Sequence, residues 1–239
     1  MALRAEEIGT GPAVLFIHGS LGDARLWAPV AGILANRFRC INYDQRFFGG
    51  STGPAEEWAA ADDAIAILDR FGVERAALVG LSGGGGIAID VALAHPDRVW
   101  ALAHVAGAVA GIGFDLPTPD GVDENDAMAF DFAVWAPLGV DDLIRDMWLA
   151  TPKARGVPDG AQPRKRPSAA ERLGEISVPT LVISAKLDPP SFSQVGRTAA
   201  SRIPRARLVE IDSDHYLTVR RPDEVGEVLL DFLTEAAHG

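Results

Sequence analysis

With 239 residues, 48% hydrophobic and 23% charged, the chain is sized for one large α/β domain or two small ones. A formal net charge of −11 argues against nucleic acid or an anionic membrane as its main partner. The single cysteine, Cys40, excludes an internal disulfide and fits a reducing, cytoplasmic setting.

In chain order, residues 2–7 read as an edge strand. They lack a basic segment followed by an apolar one, so no secretion signal is expected. Residues 13–17 form an apolar strand, followed by a glycine-containing loop, His18-Gly19-Ser20-Leu21-Gly22. A helix at 27–36 leads to a strand at 40–43. A second helix, at 56–71, stops at Gly72. Residues 76–79 form the next strand, and 84–94 a helix of small residues closed by Pro96. A strand at 99–105 follows. The apolar stretch around it, 99–109, falls short of the roughly 18 residues a membrane span needs. Near the end come a strand at 180–184, a helix at 192–202 and a strand at 207–211. A closing helix covers 222–236, with Pro222 in its first turn. Short apolar strands alternating with helices imply a mostly parallel sheet of about eight strands, with helices on both faces.

Residues 111–171 break the alternation and contain no strand pattern. An Asp-, Pro- and Gly-rich part precedes helical patterns at 124–135 and 140–150, then a connector at 151–167. An interruption of that length reads as an inserted helical lid rather than a bare loop. The core is therefore assigned to 1–110 and 172–239, and the lid to 111–171. Arg164-Lys165-Arg166 reads as a solvated connector. Trp27, Phe48, Trp135, Met147, Trp148 and Tyr216 are the candidate pocket residues, which would make the bound group largely apolar. The competing reading of the lid's aromatic and methionine side chains is packing within the lid.

The most informative motif is Gly80-Leu81-Ser82-Gly83-Gly84, between a strand and a helix. A serine on so sharp a turn has its hydroxyl thrust out of the sheet. Serine is a weak nucleophile that needs a base, and the base needs an orienting group. His215 follows the strand at 207–211 and so lies on the same carboxyl edge as Ser82. Asp188 follows the strand at 180–184 on that edge, in a loop restricted by Pro189 and Pro190. The strand at 99–105 offers no acid before Asp115. Backbone N–H groups of Gly83 and Ser20 are the candidate oxyanion donors. Asp214 is expected to set an extra carboxylate beside the imidazole. Gly83-x-Gly85-x-x-Ala88 also fits a dinucleotide fingerprint, but the following strand ends in Ala106-Gly107, without the ribose-binding acid. No spacing of metal ligands is present, and no cofactor is expected.

Together these residues resemble the α/β-hydrolase family over nearly the whole chain. His18–Gly22 is similar to its oxyanion loop. Residues 43–51, Tyr-Asp-Gln-Arg-Phe-Phe-Gly-Gly-Ser, are similar to its Asp-x-Arg-Gly-x-Gly-x-Ser segment, with Phe47 in place of a glycine. Gly80–Gly84 resembles its nucleophile elbow, and the chain order Ser82, Asp188, His215 is the family's order. The Ser-x-Gly-Gly elbow and the Leu-Gly loop also resemble 3-oxoadipate enol-lactonases. The resemblance implies a cofactor-free serine hydrolase acting on a small-molecule ester, lactone or related acyl substrate. Alternatives on the same architecture are a carbon–carbon bond hydrolase, a perhydrolase and a ligand-sensing receptor. Ser82 sets the chain apart from dehalogenases and epoxide hydrolases of this architecture, which use aspartate.

Overall fold

The computed structural model describes residues 2–123 and 126–238. Strand β1 (Ala5–Ile8) pairs antiparallel with β3 (Arg39–Tyr43). All other neighbours in the main sheet are parallel: β2 (Ala13–Ile17), β5 (Ala76–Leu81), β6 (Val99–Val105), β8 (Thr180–Ala185) and β9 (Ala206–Ile211). The order is β1-β3-β2-β5-β6-β8-β9. Among the described residues the main sheet has seven strands, against the expected about eight. The other two strands, β4 (Glu57–Trp58) and β7 (Gln162–Pro163), pair with each other as a separate two-residue ladder.

The central strands β2, β5 and β8 are buried at every residue because both faces of the sheet are covered there. Val14 and Phe16 of β2 join one core cluster, while Ala13, Leu15 and Ile17 join the other. Ala77, Val79 and Leu81 alternate with Ala76 and Leu78 in the same way, as the two-residue period of a strand requires. One face is covered by α1 (Ala28–Leu34) and the long α9 (Pro222–His238), through Val30, Leu34, Leu229 and Phe232. The other is covered by α2 (Ala60–Arg70), α3 (Gly83–Ala94) and α7 (Pro190–Arg202), through Ile67, Leu68, Ile89 and Val195. Burying each such side chain contributes about 1.5–3 kcal/mol, so the two apolar faces, not local propensity, hold the helices.

Between β6 and β8 lie α4 (Ala127–Trp135), α5 (Asp142–Leu149) and α6 (Pro152–Arg155). Asp126 and Asp141 cap α4 and α5, accepting the N–H groups of Ala129 and Ile144. The expected helix start at Glu124, with Asn125, lies outside the described residues. The interruption also holds β7, which the sequence pattern did not suggest. Its partner β4 explains why the helix expected from residue 56 begins only at Ala60: Glu57 and Trp58 are extended. Among the described residues, no helix is long and apolar enough to cross a membrane.

The path from β2 runs outward to β3, then back across β2 to β5. The strand order therefore reverses between β2 and β5, and a crevice opens at their carboxyl ends, where ligands bind in open α/β sheets. His18, Ser20 and Ser82 follow those two ends.

Candidate active site

Ser82 sits at φ 55°, ψ −122°, a conformation that L-residues rarely adopt. Such a residue carries strain on the order of 1–3 kcal/mol and persists only where its surroundings fix it. Here the Ser82 N–H donates to Val105 O (2.9 Å), and Ser82 O accepts from the N–H groups of Gly85 and Ala108 (3.0 Å each). The turn also needs its glycines. A Cβ on Gly84 would collide with the carbonyls of Ile17 and His18, and one on Gly80 with that of Gly84. Gly83 opens α3, so its N–H has no partner within the helix. The Ser20 backbone lies across from it, with its N 3.9 Å and its Oγ 2.8 Å from where a Gly83 Cβ would stand.

His215 and Asp188 meet on the same sheet edge. The His215 Nδ1–H faces both Asp188 oxygens at 3.0 Å, and both side chains are buried. That contact places the ring proton on Nδ1 and leaves Nε2, buried and without a hydrogen-bond partner, as the basic nitrogen. Backbone bonds join the two loops: Lys186 N–H to Ile211 O (2.9 Å) and Leu187 N–H to Ser213 O (3.1 Å). The His215 N–H donates to Trp135 O (3.2 Å), tying the histidine loop to the end of α4. The rings of Trp135 and Phe192 lie 4.5 and 5.4 Å from the imidazole.

Asp214 does not serve the imidazole. Its buried carboxylate accepts from Arg220 Nε (2.9 Å), Tyr216 N–H (3.1 Å) and Leu138 N–H (3.3 Å). The expectation of an extra carboxylate beside His215 is corrected: a cation and two amides already occupy that group.

His18 acts as scaffolding in the loop after β2. Its Nε2 accepts the Gln45 N–H (2.9 Å), so its proton sits on Nδ1 and is donated to Gly19 O (2.7 Å). Burial holds its pKa below the ordinary histidine value. Asp44 is likewise structural: it accepts the N–H groups of Ala24 (2.9 Å) and Gly50 (2.8 Å) and pairs with Arg4. Buried His104, packed beneath the elbow against Gly85 and Gly107, has its pKa lowered by burial to about 4.

The family model described as the alpha/beta hydrolase fold matches residues 12–140. The chain belongs to the α/β-hydrolase family. An Azorhizobium caulinodans protein, RutD, to which carbamate hydrolysis is ascribed, is 32% identical over 95% of this chain and 93% of its own. A 2-hydroxymuconate semialdehyde hydrolase of Pseudomonas is 29% identical over 95% and 89%. Among solved structures, the enol-lactonase of Burkholderia xenovorans has a TM-score of 0.77 at 25% identity, covering 97% of this chain and 96% of its own.

In this α/β-hydrolase, a cavity of about 520 Å³ opens against Ser20 and Gly83. Of the six pocket candidates, Phe48 lines it, with its ring 4.9 Å from that of His18, and Trp135 touches the imidazole. The other four are packing residues. Trp27 is fully buried, its indole N–H on Ile17 O (3.1 Å) and its ring 5.2 Å from Phe16. Met147 is also fully buried, in the core cluster with Leu26. Trp148 donates to Asp131 (2.9 Å), and buried Tyr216 reaches Leu21 O (3.4 Å). Each is an amphipathic or large side chain that found its partner inside the fold.

The cavity's polar wall was not expected from the sequence. It comprises Gln45, Arg46, Asp63, Lys153 and Arg166. Arg46 and Asp63 form a buried bidentate pair (3.0 and 2.7 Å), and Lys153 pairs with Asp131 (2.7 Å). Arg166 pairs with Asp90 of α3, so it is no solvated connector. Burial raises the Asp90 pKa, and Arg166 opposes that shift. A lone acid in the otherwise small and apolar run of α3 was the signal that could have pointed to a docked cation.

Proposed function

We propose that this α/β-hydrolase is a cofactor-free serine hydrolase that cleaves a small ester, lactone or related acyl substrate through an acyl-enzyme. The observation that carries the reading is the buried Asp188–His215 pair, whose unpartnered Nε2 lies on the sheet edge that also bears Ser82. In this mechanism Ser82 Oγ attacks the substrate carbonyl carbon, and His215 Nε2 takes the hydroxyl proton. Asp188 keeps the proton on Nδ1 and stabilises the imidazolium. The N–H groups of Gly83 and Ser20 hold the oxyanion. Collapse breaks the bond to the leaving oxygen, which receives the proton from Nε2. Water then repeats the sequence on the acyl-enzyme, releasing the acid and restoring Ser82. Residues 111–171 serve as the lid, since Trp135 contacts the imidazole and Pro152, Lys153 and Arg166 wall the cavity.

The test is hydrolysis of p-nitrophenyl butyrate by the wild-type chain and by Ser82→Ala. Turnover should fall by about 10⁴-fold or more in the variant. Mass spectrometry should find an acyl adduct on Ser82 in the wild type alone. Equal turnover by a folded Ser82→Ala protein would exclude the assignment.

A further inference from the structure

Two guanidinium groups in the cavity wall each leave a buried donor unused. Arg166 Nη2 is buried without a hydrogen-bond partner, and so is Nη1 of Arg46. Arg166 engages Asp90 through Nε, and Arg46 engages Asp63 through Nε and Nη2. Nη1 of Arg46 also forms a long ion pair, 3.6 Å, with the largely exposed Glu56, which leaves its hydrogen-bonding capacity unfilled. A buried N–H of a cation is costly to leave unmade, and its strongest partner is an anionic oxygen.

The position of Arg166 ties it to the reacting end of the cavity. Its guanidinium lies over Gly86, in the first turn of α3. A Cβ there would stand 2.5 and 2.8 Å from Nη2 and Nη1, and 2.9 Å from Ala108 O. The Ala108 N–H in turn holds Ser82 O (3.0 Å). The absence of a side chain at Gly86 is therefore what admits the guanidinium this close to the elbow. The same cavity is lined by Tyr43, Phe48, Trp58, Ile87 and Val157, and by Asp63 and Lys153, which are already paired with Arg46 and Asp131.

We propose that the substrate carries a carboxylate, held by Arg166 and Arg46 in the cavity that opens against Ser20 and Gly83, on a different carbon from the carbonyl that Ser82 attacks. A carboxylate supplies anionic oxygens for the unused guanidinium N–H groups, whereas a neutral acyl tail leaves them unsatisfied. This deepens the serine hydrolase reading and rests on it.

The probes are monoethyl adipate and ethyl hexanoate, esters of comparable length that differ in a terminal carboxylate, followed by pH-stat titration. The wild type should favour the adipate ester in kcat/KM by at least tenfold, and Arg166→Gln should reduce that ratio by at least tenfold. Gly86→Ala, which crowds the guanidinium but keeps its charge, should reduce the ratio as well. Arg166→Lys retains the charge opposite Asp90 and serves if the Gln variant fails to fold. A wild-type ratio of one or below overturns the proposal, as does a ratio unchanged in folded Arg166 variants. Calorimetry separates the two readings. Adipate should bind the Ser82→Ala chain and bind at least tenfold more weakly when Arg166→Gln is added. If neither ester is cleaved but adipate binds in this way, the hydrolase reading fails and the carboxylate site stands. If esters are cleaved and adipate does not bind, the carboxylate site fails alone.

Discussion

On the β8–β9 side of the site, Asp188 and His215 meet among aromatic rings and are joined by backbone hydrogen bonds. On the side of β3 and the first turn of α3, the cavity is walled by the ion pairs Arg46–Asp63, Lys153–Asp131 and Arg166–Asp90. The first wall is built from loops that leave adjacent strands, so topology alone brings its members together. The second is built from charges that pair across helices and the excursion between β6 and β8. For Arg46–Asp63, buried on both sides, the cost is desolvation, which the pair offsets only while both partners remain. The aromatic wall should therefore fail in turnover when altered, and the Arg46–Asp63 pair in stability.

The largest effect belongs to the first wall. Asp188→Asn should lower kcat by about 10⁴-fold, because the amide no longer holds the imidazole in the working tautomer. Chemical denaturation should show a smaller stability loss than for the second wall. On that wall, Asp63→Ala strands the Arg46 guanidinium, whose side chain is only 7% exposed. The expected cost is about 3–5 kcal/mol in urea unfolding, and the apolar double replacement Arg46→Met with Asp63→Leu should recover most of it. A cost below about 1 kcal/mol for Asp63→Ala would mean that this pair behaves as a surface pair, and the contrast would collapse.

The sequence exposed these two walls unequally, for a physical reason. Ser82, Asp188 and His215 each follow an apolar run closely, so strand positions alone put them on one edge. The parallel sheet was legible in the same way, because strands covered on both faces are uniformly apolar. Apart from the lone acid of α3, the ion pairs have no local signature. Arg166 and Asp90 lie 76 residues apart, and an Arg-Lys-Arg run looks the same whether solvated or docked over a glycine. Trp27, Met147 and Trp148 misled for the opposite reason: large side chains suit a pocket wall and a core equally, and only tertiary packing decides.

A third effect lies beneath the elbow, between the walls. Buried His104 stays neutral in the folded chain down to about pH 4, against an ordinary value of 6.5. Between those values the unfolded chain binds a proton at this position and the folded chain does not. Stability therefore rises with pH across that window and is lost as pH falls, by up to roughly 3 kcal/mol. His104→Leu should flatten the difference in unfolding free energy between pH 7 and pH 4.5. Some slope should remain, because burial shifts His18 in the same direction. A variant with the full wild-type slope would show that His104 does not resist protonation.

The smallest effect tests the loop that carries Arg46 into the ionic wall. Phe47 stands at φ 70°, where related segments carry glycine, and its ring meets Trp58 at 5.1 Å. Phe47→Ala removes the ring but keeps a Cβ in a left-handed backbone. Phe47→Gly removes the ring and the strain together. Glycine is ordinarily the less stable of the two by roughly 0.5–1 kcal/mol in regular structure, but here the order should invert, with Gly above Ala by about 1 kcal/mol. If urea unfolding instead finds the Ala variant equal or superior, the backbone at Phe47 is unstrained. The ring's contact with Trp58 would then not be what holds the Arg46 loop against its preference.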